Sequence, residues 1–271
     1  MTAPAQGNSP LINESTDTHV RWITLNRPNQ RNPLSSAMLA TLTDALARAG
    51  DDPNVRAIVL TGSGPVFSAG HDLREMSRQP GEGRAALQAR IRAILESCAA
   101  MMLSIVHSPK AIIACVQGTA TAAGCQLVSA CDLAIAVDTA TFCTPGVNMG
   151  GFCTTPLVGI GRNVHRKHAM ALALTGDAIP AEDAVRFGLI NEAVPADTLL
   201  QRTTELAERI ASKSAQGIRN GKADFYRQIE LPIEDAFAYA NEAMIRAMTS
   251  PDAEEGKAAF FEKRSPQWGD A

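Results

Sequence analysis

Apolar residues along the first half of the chain fall into short runs that are separated by turns and by stretches with helical spacing. Four of these runs are predicted strands, at residues 20–25, 56–61, 111–116 and 132–137. The first alternates apolar and polar positions, whereas the other three lack this alternation. Strands without polar alternation are typical of sheets buried on both faces. We therefore expect a sheet that other elements cover on both sides.

Helical spacing of apolar residues occupies the segments between and after these runs. Ser35 or Ser36 is placed to cap one helix at its N-terminus. Further helices are predicted at about 84–107, 125–130, 196–212, 213–228, 232–248 and 251–264. The alternation of strands and helices predicts an α/β fold, and the chain after about residue 195 is predicted to be entirely helical.

The chain has 271 residues, which is enough for one large domain with an ample core. We expect a polar, flexible N-terminus at residues 1–18, a core at 19–200 and a helical C-terminal region at 201–271. The last boundary follows a shift in composition, since no linker sequence separates the two parts.

Charged residues are scarce in the middle of the chain. Between Ala111 and Gly161 the only charged side chains are Asp132 and Asp138, although the whole chain has 25 Lys and Arg and 28 Asp and Glu. Frequent Gly, Thr, Asn, Gln and Pro interrupt the uncharged stretches, whereas a membrane span needs about 20 predominantly apolar residues. We interpret this window as buried core, with Asp132 in a structural role, and expect no membrane partner.

Composition argues against several other functions. A net charge of −3 and an aromatic content of 4% do not suit nucleic-acid binding. The six cysteines form no Cys-x-x-Cys pair, so we predict no metal site. Residues 1–20 contain neither Lys nor Arg and no apolar run, so we expect no signal peptide and a reducing, cytoplasmic location.

Two segments place small residues at the start of a helix, shortly after a strand. Their sequences are Phe67-Ser68-Ala69-Gly70-His71-Asp72 and Thr121-Ala122-Ala123-Gly124-Cys125-Gln126. Small side chains at a helix start leave backbone N–H groups uncovered, which suits binding an oxygen with partial negative charge. Two such ends form an oxyanion hole if they meet. The alternative is that the small residues only allow tight packing at the junctions.

These segments and several others, in order, resemble the enoyl-CoA hydratase/isomerase superfamily, whose members are also called crotonases. The resemblance runs from about Val20 to the C-terminus, and residues 122–126 with 143–148 most resemble the branch called enoyl-CoA hydratase domain-containing protein 3. The matching motifs are Ile23-Thr24-Leu25-Asn26-Arg27-Pro28, Phe67-Ser68-Ala69-Gly70-His71-Asp72-Leu73, Lys110-Ala111-Ile112-Ile113-Ala114, Gly124-Cys125-Gln126-Leu127, Cys131-Asp132-Leu133-Ala134-Ile135-Ala136, Leu174-Thr175-Gly176-Asp177, Phe187-Gly188-Leu189-Ile190 and Phe260-Phe261-Glu262-Lys263-Arg264.

The resemblance implies a fold, an assembly and a ligand. The fold is a spiral of ββα turns followed by a C-terminal helical region that makes oligomer contacts. The assembly is a homotrimer or a dimer of trimers. The ligand is a coenzyme A thioester, with no permanently bound cofactor and a role in fatty acid or acyl-CoA metabolism.

The resemblance also implies how the thioester is held. In the family, two backbone N–H groups bind the thioester oxygen and stabilise an enolate-like intermediate. Carried over to this chain, they belong to His71 and Ala123, and the neighbouring small residues Ala69, Gly70 and Gly124 shape the site.

Further candidates for binding the substrate come from the same resemblance. The turn at residues 26–32, with Asn26 and Arg31, is implied to lie near the nucleotide and pantetheine, and Lys263 or Arg264 near the phosphates. Asp72 is expected to cap or anchor its helix. Cys153 is a candidate nucleophile, with an inert buried thiol as the alternative.

The chain departs from the family at the two glutamates that hydratases use to add water to a double bond. Those positions fall on Gln126 and Gly146. Gln126 can still donate and accept hydrogen bonds, whereas we expect Gly146 to offer only space. A positioned acid or base contributes about 10²–10⁴-fold to a rate, so hydration is expected to be much slower. His71 is the remaining ionisable candidate.

The sequence leaves three possible functions open. The first is an atypical acyl-CoA lyase or decarboxylase, because loss of CO₂ forms the enolate without a base. The second is a conventional enoyl-CoA hydratase with residual activity. The third is a non-catalytic acyl-CoA binding protein or scaffold.

Overall fold

The protein is described by a computed structural model that covers residues 9–269. Its strands are β1 (Ile12–Asp17), β2 (Val20–Leu25), β3 (Ala57–Gly62), β4 (Val66–Ser68), β5 (Ala111–Val116), β6 (Thr119–Thr121), β7 (Leu133–Val137), β8 (Thr141–Cys143), β9 (Ile179–Pro180) and β10 (Glu192–Val194). Its helices are α1 (Ser36–Asp51), α2 (Leu73–Met76), α3 (Arg84–Val106), α4 (Ala123–Ala130), α5 (Pro156–Asn163), α6 (Arg166–Thr175), α7 (Ala181–Phe187), α8 (Leu199–Ala211), α9 (Ala215–Gln228), α10 (Ile233–Met248) and α11 (Pro251–Glu262).

A large sheet has the strand order β1-β2-β3-β5-β7-β10. Only the pair β1 and β2 is antiparallel, and the other neighbours are parallel. All residues of β3 and β5 are buried, which confirms the expectation of a sheet covered on both faces. Helix α8 packs against β2, β3, β5 and β7, so residues beyond 200 still cover this sheet.

A small second sheet has the order β4-β6-β8-β9, and its first three strands are parallel. The chain enters it three times, each time directly after a strand of the large sheet: β3 leads to β4, β5 to β6 and β7 to β8. Helices follow each strand pair. This repetition is the predicted spiral of ββα turns, and the predicted α/β fold with a helical C-terminal region is confirmed.

The prediction of a flexible N-terminus was wrong for residues 12–17, which form strand β1. Ile12 is buried and pairs with Leu25 in the hairpin to β2, while the other residues of β1 are exposed. An edge strand with one solvent face can consist largely of polar residues, so its sequence does not stand out. Cross-strand pairing with β2 provides its hydrogen bonds. Residues 1–8 of the same prediction lie outside the described residues, and the boundary at 200 stays a prediction.

The predicted helices agree with the structure to within a few residues at their ends. Ser35, and not Ser36, caps α1, since its Oγ accepts a hydrogen bond from the Met38 amide at 3.2 Å. Helix α4 starts at Ala123, before the predicted Cys125, which matters for the site below. No helix in the described part of the chain is long and apolar enough to cross a membrane.

The charge-poor window is buried for most of its length, but not throughout. All residues of α4 are buried, whereas residues 148–152 are exposed, with Met149 63% accessible. Here the chain runs over the surface through a 3₁₀ turn (Pro145–Met149) and Gly150, whose φ is +76°. The interpretation of the whole window as buried core was therefore wrong for these five residues and for residues 138, 139, 154, 158 and 161, which are also exposed, because scarce charge does not by itself imply burial.

One buried ion pair joins the C-terminal helices to the large sheet. Lys222 of α9 lies 2.7 Å from a carboxylate oxygen of Asp132 and also donates to the carbonyls of Ile105 and Lys110. The same carboxylate accepts hydrogen bonds from the Tyr226 hydroxyl at 3.0 Å and the Ile112 amide at 2.8 Å. The structural role predicted for Asp132 is confirmed.

We expect Lys222→Met to lower the free energy of unfolding by about 3 kcal/mol, because it leaves the buried Asp132 carboxylate without its cation. Urea unfolding followed by circular dichroism measures this change. Arg162→Met is the control, since Arg162 forms an exposed pair with Glu230 and its loss should cost less than about 0.5 kcal/mol. Equal effects of the two substitutions would contradict the anchoring role of Lys222.

Candidate active site

The candidate site lies at the carboxyl edge of the small sheet. Strands β4, β6 and β8 are parallel neighbours, so their carboxyl ends meet at one edge. His71 follows β4, Gln126 lies in the helix after β6, and Thr144 directly follows β8. Ligands in α/β proteins commonly bind outside the carboxyl ends of parallel strands. His71 and Gln126 were predicted as site residues from the sequence, whereas Thr144 was not.

The two small-residue turns are in direct contact, and glycine allows it. Gly70 has φ = +83°, and a Cβ added there would lie 2.9 Å from the carbonyl oxygen of Thr121 and 3.0 Å from the amide nitrogen of Ala123. A Cβ at Gly124 would lie 2.3 Å from the carbonyl oxygen of Ser68. Side chains at either position would force the turns apart, so both glycines are required by close backbone approach.

The amide groups of His71 and Ala123 are available at this contact. Ala123 is the first residue of α4, and the first amides of a helix have no partner within it. Neither amide donates to an acceptor among the residues that the structure describes. Ala122 holds the turn with φ = 51° and ψ = −115°, a conformation that costs a residue with a Cβ about 1–3 kcal/mol. Such strain commonly marks functional backbone.

Asn32 fastens the turn at residues 26–32 to the rest of the site, and the sequence analysis missed it. Its buried side-chain amide donates to the carbonyls of Ser63, Val66 and Phe67 at 2.8–3.2 Å, and its Oδ1 accepts from the Arg27 amide at 2.8 Å. Nothing in the sequence distinguishes Asn32 from the other asparagines of this turn.

Backbone contacts complete this connection. The Ala69 amide donates to the carbonyl of Arg31 at 2.9 Å, and the Ser68 hydroxyl donates to that of Asn32 at 2.8 Å. The Leu34 amide donates to the carbonyl of Gly70 at 2.8 Å. The turn with the predicted ligand-binding residues is therefore held directly against the turn that follows β4.

Gly146 does not provide the open space that the sequence suggested. A Cβ there would lie 2.9 Å from the amide nitrogen and 3.0 Å from the Sγ of Cys153. The Gly146 amide donates a hydrogen bond to that sulfur at 3.2 Å. Cys153 therefore fills the volume into which a longer side chain at 146 would extend, and the expectation of free space was wrong.

The side chains of His71 and Cys153 are uncharged at neutral pH. Burial lowers the pKa of His71 below its ordinary value, so its imidazole is neutral at pH 7. Burial raises the pKa of the Cys153 thiol, although the hydrogen bond from Gly146 opposes this. A thiol with a raised pKa is a poor nucleophile. Gln126 has no ionisable group, so none of these three side chains is a carboxylate.

Asp72 and Asn26, which were also predicted as site residues, form hydrogen bonds with backbone groups of the fold. Asp72 caps α2, since its Oδ1 accepts from the Arg74 amide at 2.9 Å, as expected. The side chain of Asn26 donates to the carbonyl of Pro10 at 3.0 Å.

The two C-terminal candidates for phosphate contacts, Lys263 and Arg264, have different surroundings. Lys263 lies in the left-handed conformation at the end of α11, and no hydrogen bond or ion pair joins it to the two turns within residues 9–269. Arg264 pairs with Glu255 and Glu262, both at 2.6 Å. In the same part of the chain, no group of three or more His, Cys, Asp or Glu side chains is arranged to hold a metal ion.

Comparisons with known proteins agree on one family. The family model described as enoyl-CoA hydratase/isomerase matches residues 15–271. The mitochondrial enoyl-CoA hydratase domain-containing protein 3 of Rattus norvegicus is 41% identical over 249 residues, which are 92% of this chain and 81% of the relative.

Two solved structures are similar over nearly their full length. An enoyl-CoA hydratase from Mycobacterium smegmatis has a TM-score of 0.91 at 43% identity and covers 96% of this chain and 99% of its own. Human enoyl-CoA hydratase domain-containing protein 3 has a TM-score of 0.91 at 37% identity, with 96% and 100% covered. These similarities confirm the branch that the motifs indicated, and the chain belongs to the enoyl-CoA hydratase/isomerase family.

Proposed function

We propose that this protein is an atypical acyl-CoA lyase or decarboxylase of acyl-CoA metabolism, which forms a thioester enolate without a glutamate pair. One observation carries the proposal. The two turns with available amides are in contact, and the positions that the resemblance assigns to the hydratase glutamates hold Gln126 and Gly146, which cannot exchange a proton. The backbone amides suit enolate stabilisation, whereas the glutamates that hydration needs are not present at these two positions.

The chemistry follows from this division. The amides of His71 and Ala123 donate to the thioester oxygen, where negative charge develops as a bond at the α-carbon breaks. In decarboxylation the electron pair of the bond to the carboxylate moves into the enolate and CO₂ leaves, so no base is needed. A proton from solvent then completes the product. Each oxyanion donor typically contributes about 2.7–4 kcal/mol to such a transition state.

The ligand is proposed to be a coenzyme A thioester as substrate, with no permanent cofactor. The turn at residues 26–32 supports this proposal, because the carbonyls of Arg31 and Asn32 accept hydrogen bonds from the turn after β4, which holds the two turns together. Lys263 is proposed to contact the phosphates only in an assembly, because no hydrogen bond or ion pair connects it to the two turns within residues 9–269 of one chain.

A conventional hydratase is the second candidate. It is favoured by the similarity to the enoyl-CoA hydratase of Mycobacterium smegmatis at 43% identity. Its weakness is the neutral site, in which Gln126 can orient water but cannot take its proton. A non-catalytic acyl-CoA binding protein is the third candidate and needs only the oxyanion contact.

Turnover of thioesters separates these candidates. The protein is incubated with crotonyl-CoA, malonyl-CoA and methylmalonyl-CoA, and the products are followed by mass spectrometry. We expect loss of CO₂ or another cleavage product, and little hydration of crotonyl-CoA. Fast hydration would favour the second candidate. Binding of these thioesters without turnover of any would contradict the lyase and favour the third.

Proline at position 123 removes the amide hydrogen of Ala123, and because this residue is buried against Gly70, the fold of the variant is first checked by circular dichroism. Proline is tolerated at the first position of a helix, where its missing N–H has no intrahelical partner. We expect Ala123→Pro to lower kcat on the thioester that is turned over by about 10²–10³-fold. Ala123→Gly keeps the N–H and is the matched control, with a kcat within a few-fold of the parent. Equal rates of the two variants would rule out this amide as a donor.

The contact of Gly146 with Cys153 can be tested by stability. We expect Gly146→Ala to lower the free energy of unfolding by about 1–3 kcal/mol, because the new methyl group overpacks the site. Gly151→Ala is the control, since the nearest atom to its added Cβ is 3.6 Å away. Urea unfolding of both variants measures the difference. An unchanged stability of Gly146→Ala would mean that Cys153 moves freely, and Gly146→Glu could then restore a carboxyl group.

We also propose a homotrimer or a dimer of trimers, formed through the C-terminal helices. These helices expose many large apolar side chains, of which Phe260 and Phe261 are 77% and 78% accessible. Contiguous exposed apolar surface commonly marks a protein interface. The location is proposed to be a reducing compartment such as the cytoplasm, because all six cysteines are free thiols.

Light scattering tests the assembly. We expect a mass of three or six times the 28.7 kDa of one chain. Phe260→Ser with Phe261→Ser should lower the mass, because it removes apolar surface from α11. Leu103→Ser is the control, since Leu103 is 53% accessible on α3 and is not part of the C-terminal helices. A monomeric parent protein would contradict the proposal.

A further inference from the structure

A second cavity lies at the amino end of β5, away from the candidate active site. Its volume is about 330 Å³, and the loop between α3 and β5 forms one wall while α9 forms the other. The polar side chains that line it are His107, Ser108, Arg219, Tyr226 and Arg227. No carboxylate among residues 9–269 lines this cavity. Its walls therefore combine positive charge with hydrogen-bond donors.

The direction of β5 separates this cavity from the proposed thioester site. The cavity borders the loop that precedes β5, whereas β6 and Ala123 follow the carboxyl end of that strand. The turn at residues 26–32 also follows the carboxyl end of a strand, β2, which runs parallel to β3 and β5. A strand advances about 3.3 Å per residue, so β5 alone separates its two ends by roughly 17 Å.

The spacing of residues on α9 leaves room for a ligand between two guanidinium groups. Arg219, Ala223 and Arg227 follow one another at intervals of four residues, which places them on one face of the helix. The two arginines are two turns apart, or roughly 12 Å along the helix axis. The methyl group of Ala223 between them takes up little space, so both long side chains can reach the same ligand.

Neither arginine forms an ion pair within residues 9–269. Both carboxylates within one turn of Arg227 are bound elsewhere, since Asp224 accepts a hydrogen bond from Tyr239 at 2.7 Å and Glu230 pairs with Arg162 at 3.0 Å. No carboxylate lies within one turn of the other arginine along α9. The two positive charges are therefore available to a ligand.

Lys110, which directly follows the loop, adds a third positive charge near the cavity. The residue is 5% accessible, and its ammonium group forms no hydrogen bond within residues 9–269. Burial lowers the pKa of Lys110, and the positive charges of Arg219 and Arg56 lower it further, although Asp52 and Asp51 oppose this effect. An anion beside these cations reduces their mutual repulsion.

The loop opposite α9 supplies uncharged donors. Ser108 is 8% accessible, and its Oγ accepts a hydrogen bond from the Lys110 amide at 3.2 Å. The hydroxyl proton of Ser108 has no acceptor within residues 9–269, so it can be donated to a ligand. The ring of His107 carries at least one further N–H. The Tyr226 hydroxyl, by contrast, already donates to Asp132.

These groups together suit a phosphate better than a carboxylate. Guanidinium groups bind both anions in a bidentate manner. A carboxylate offers two oxygens in one plane and a single charge, so it can face either α9 or the loop. A phosphate group offers three oxygens in a tetrahedral arrangement and a charge of about −1.5 to −2 at pH 7. It can therefore accept hydrogen bonds from both walls at once.

We propose that this cavity binds inorganic phosphate or the phosphate group of a small phosphorylated molecule, through Arg219 and Arg227 on α9 and Ser108 and His107 on the loop before β5. The proposal goes beyond the thioester function, because none of these residues belongs to the candidate active site. A ligand held there links α9 to the loop, so its binding stabilises the folded protein.

Calorimetry with the unmodified protein tests the class of ligand. The probes are inorganic phosphate, diphosphate, ATP and acetate, in a phosphate-free buffer of constant ionic strength. We expect at least one of the three phosphate compounds to bind with a Kd at least tenfold below that of acetate, which corresponds to about 1.4 kcal/mol. The compound that binds most tightly identifies the source of the phosphate group. A smaller difference, or no saturable binding of any phosphate compound, would overturn the proposal.

Substitution of the two arginines assigns the binding to this cavity. Arg219→Gln with Arg227→Gln keeps a similar helix propensity and removes both guanidinium groups, so the Kd of the tightest phosphate compound should rise at least tenfold. Arg166→Gln with Arg209→Gln is the matched control, because it removes the same charge from two exposed residues of α6 and α8. It should change that Kd less than twofold. An unchanged Kd in the first variant, or an equal rise in both, would refute the site.

Discussion

The close approach of two backbone turns is the constraint on which the site depends. The turn after β4 and the turn after β6 pack so tightly that Gly70 and Gly124 have no room for a Cβ. This approach brings the residue before His71 into contact with the amide of Ala123. In the proposed function these amides need no reorganisation to meet a developing charge, because the fold fixes the backbone. The remaining features of the structure either hold these turns together or determine what surrounds them.

Several interactions support the strained turn. The unfavourable conformation of Ala122 is sustained because α4 is buried along its whole length and its first turn is bonded to the residue before Thr144. On the other side, Asn32 gathers the carbonyls around β4 into one buried network. Strain of about 1–3 kcal/mol persists only where neighbouring structure determines the conformation in this way.

The second property of the site is its neutrality. In the charge-poor window, the Asp132 carboxylate forms an ion pair with Lys222 and accepts a hydrogen bond from Tyr226. These contacts hold α9 against the large sheet. Gln126 and Gly146 have no ionisable side chain, and burial disfavours the charged form of His71. In the proposed function, such a site polarises a thioester but offers little help to proton transfer from water.

Local spacing and short motifs were enough to predict the α/β fold, most helix and strand positions, the family and the two turns. Contacts between distant segments could be seen only in the folded chain. Polar β1 becomes a strand by pairing with β2, Cys153 occupies the space beside Gly146, and Asn32 and Thr144 are completely buried. Their local sequences do not distinguish these residues, because packing and hydrogen bonding join residues that are far apart in the sequence.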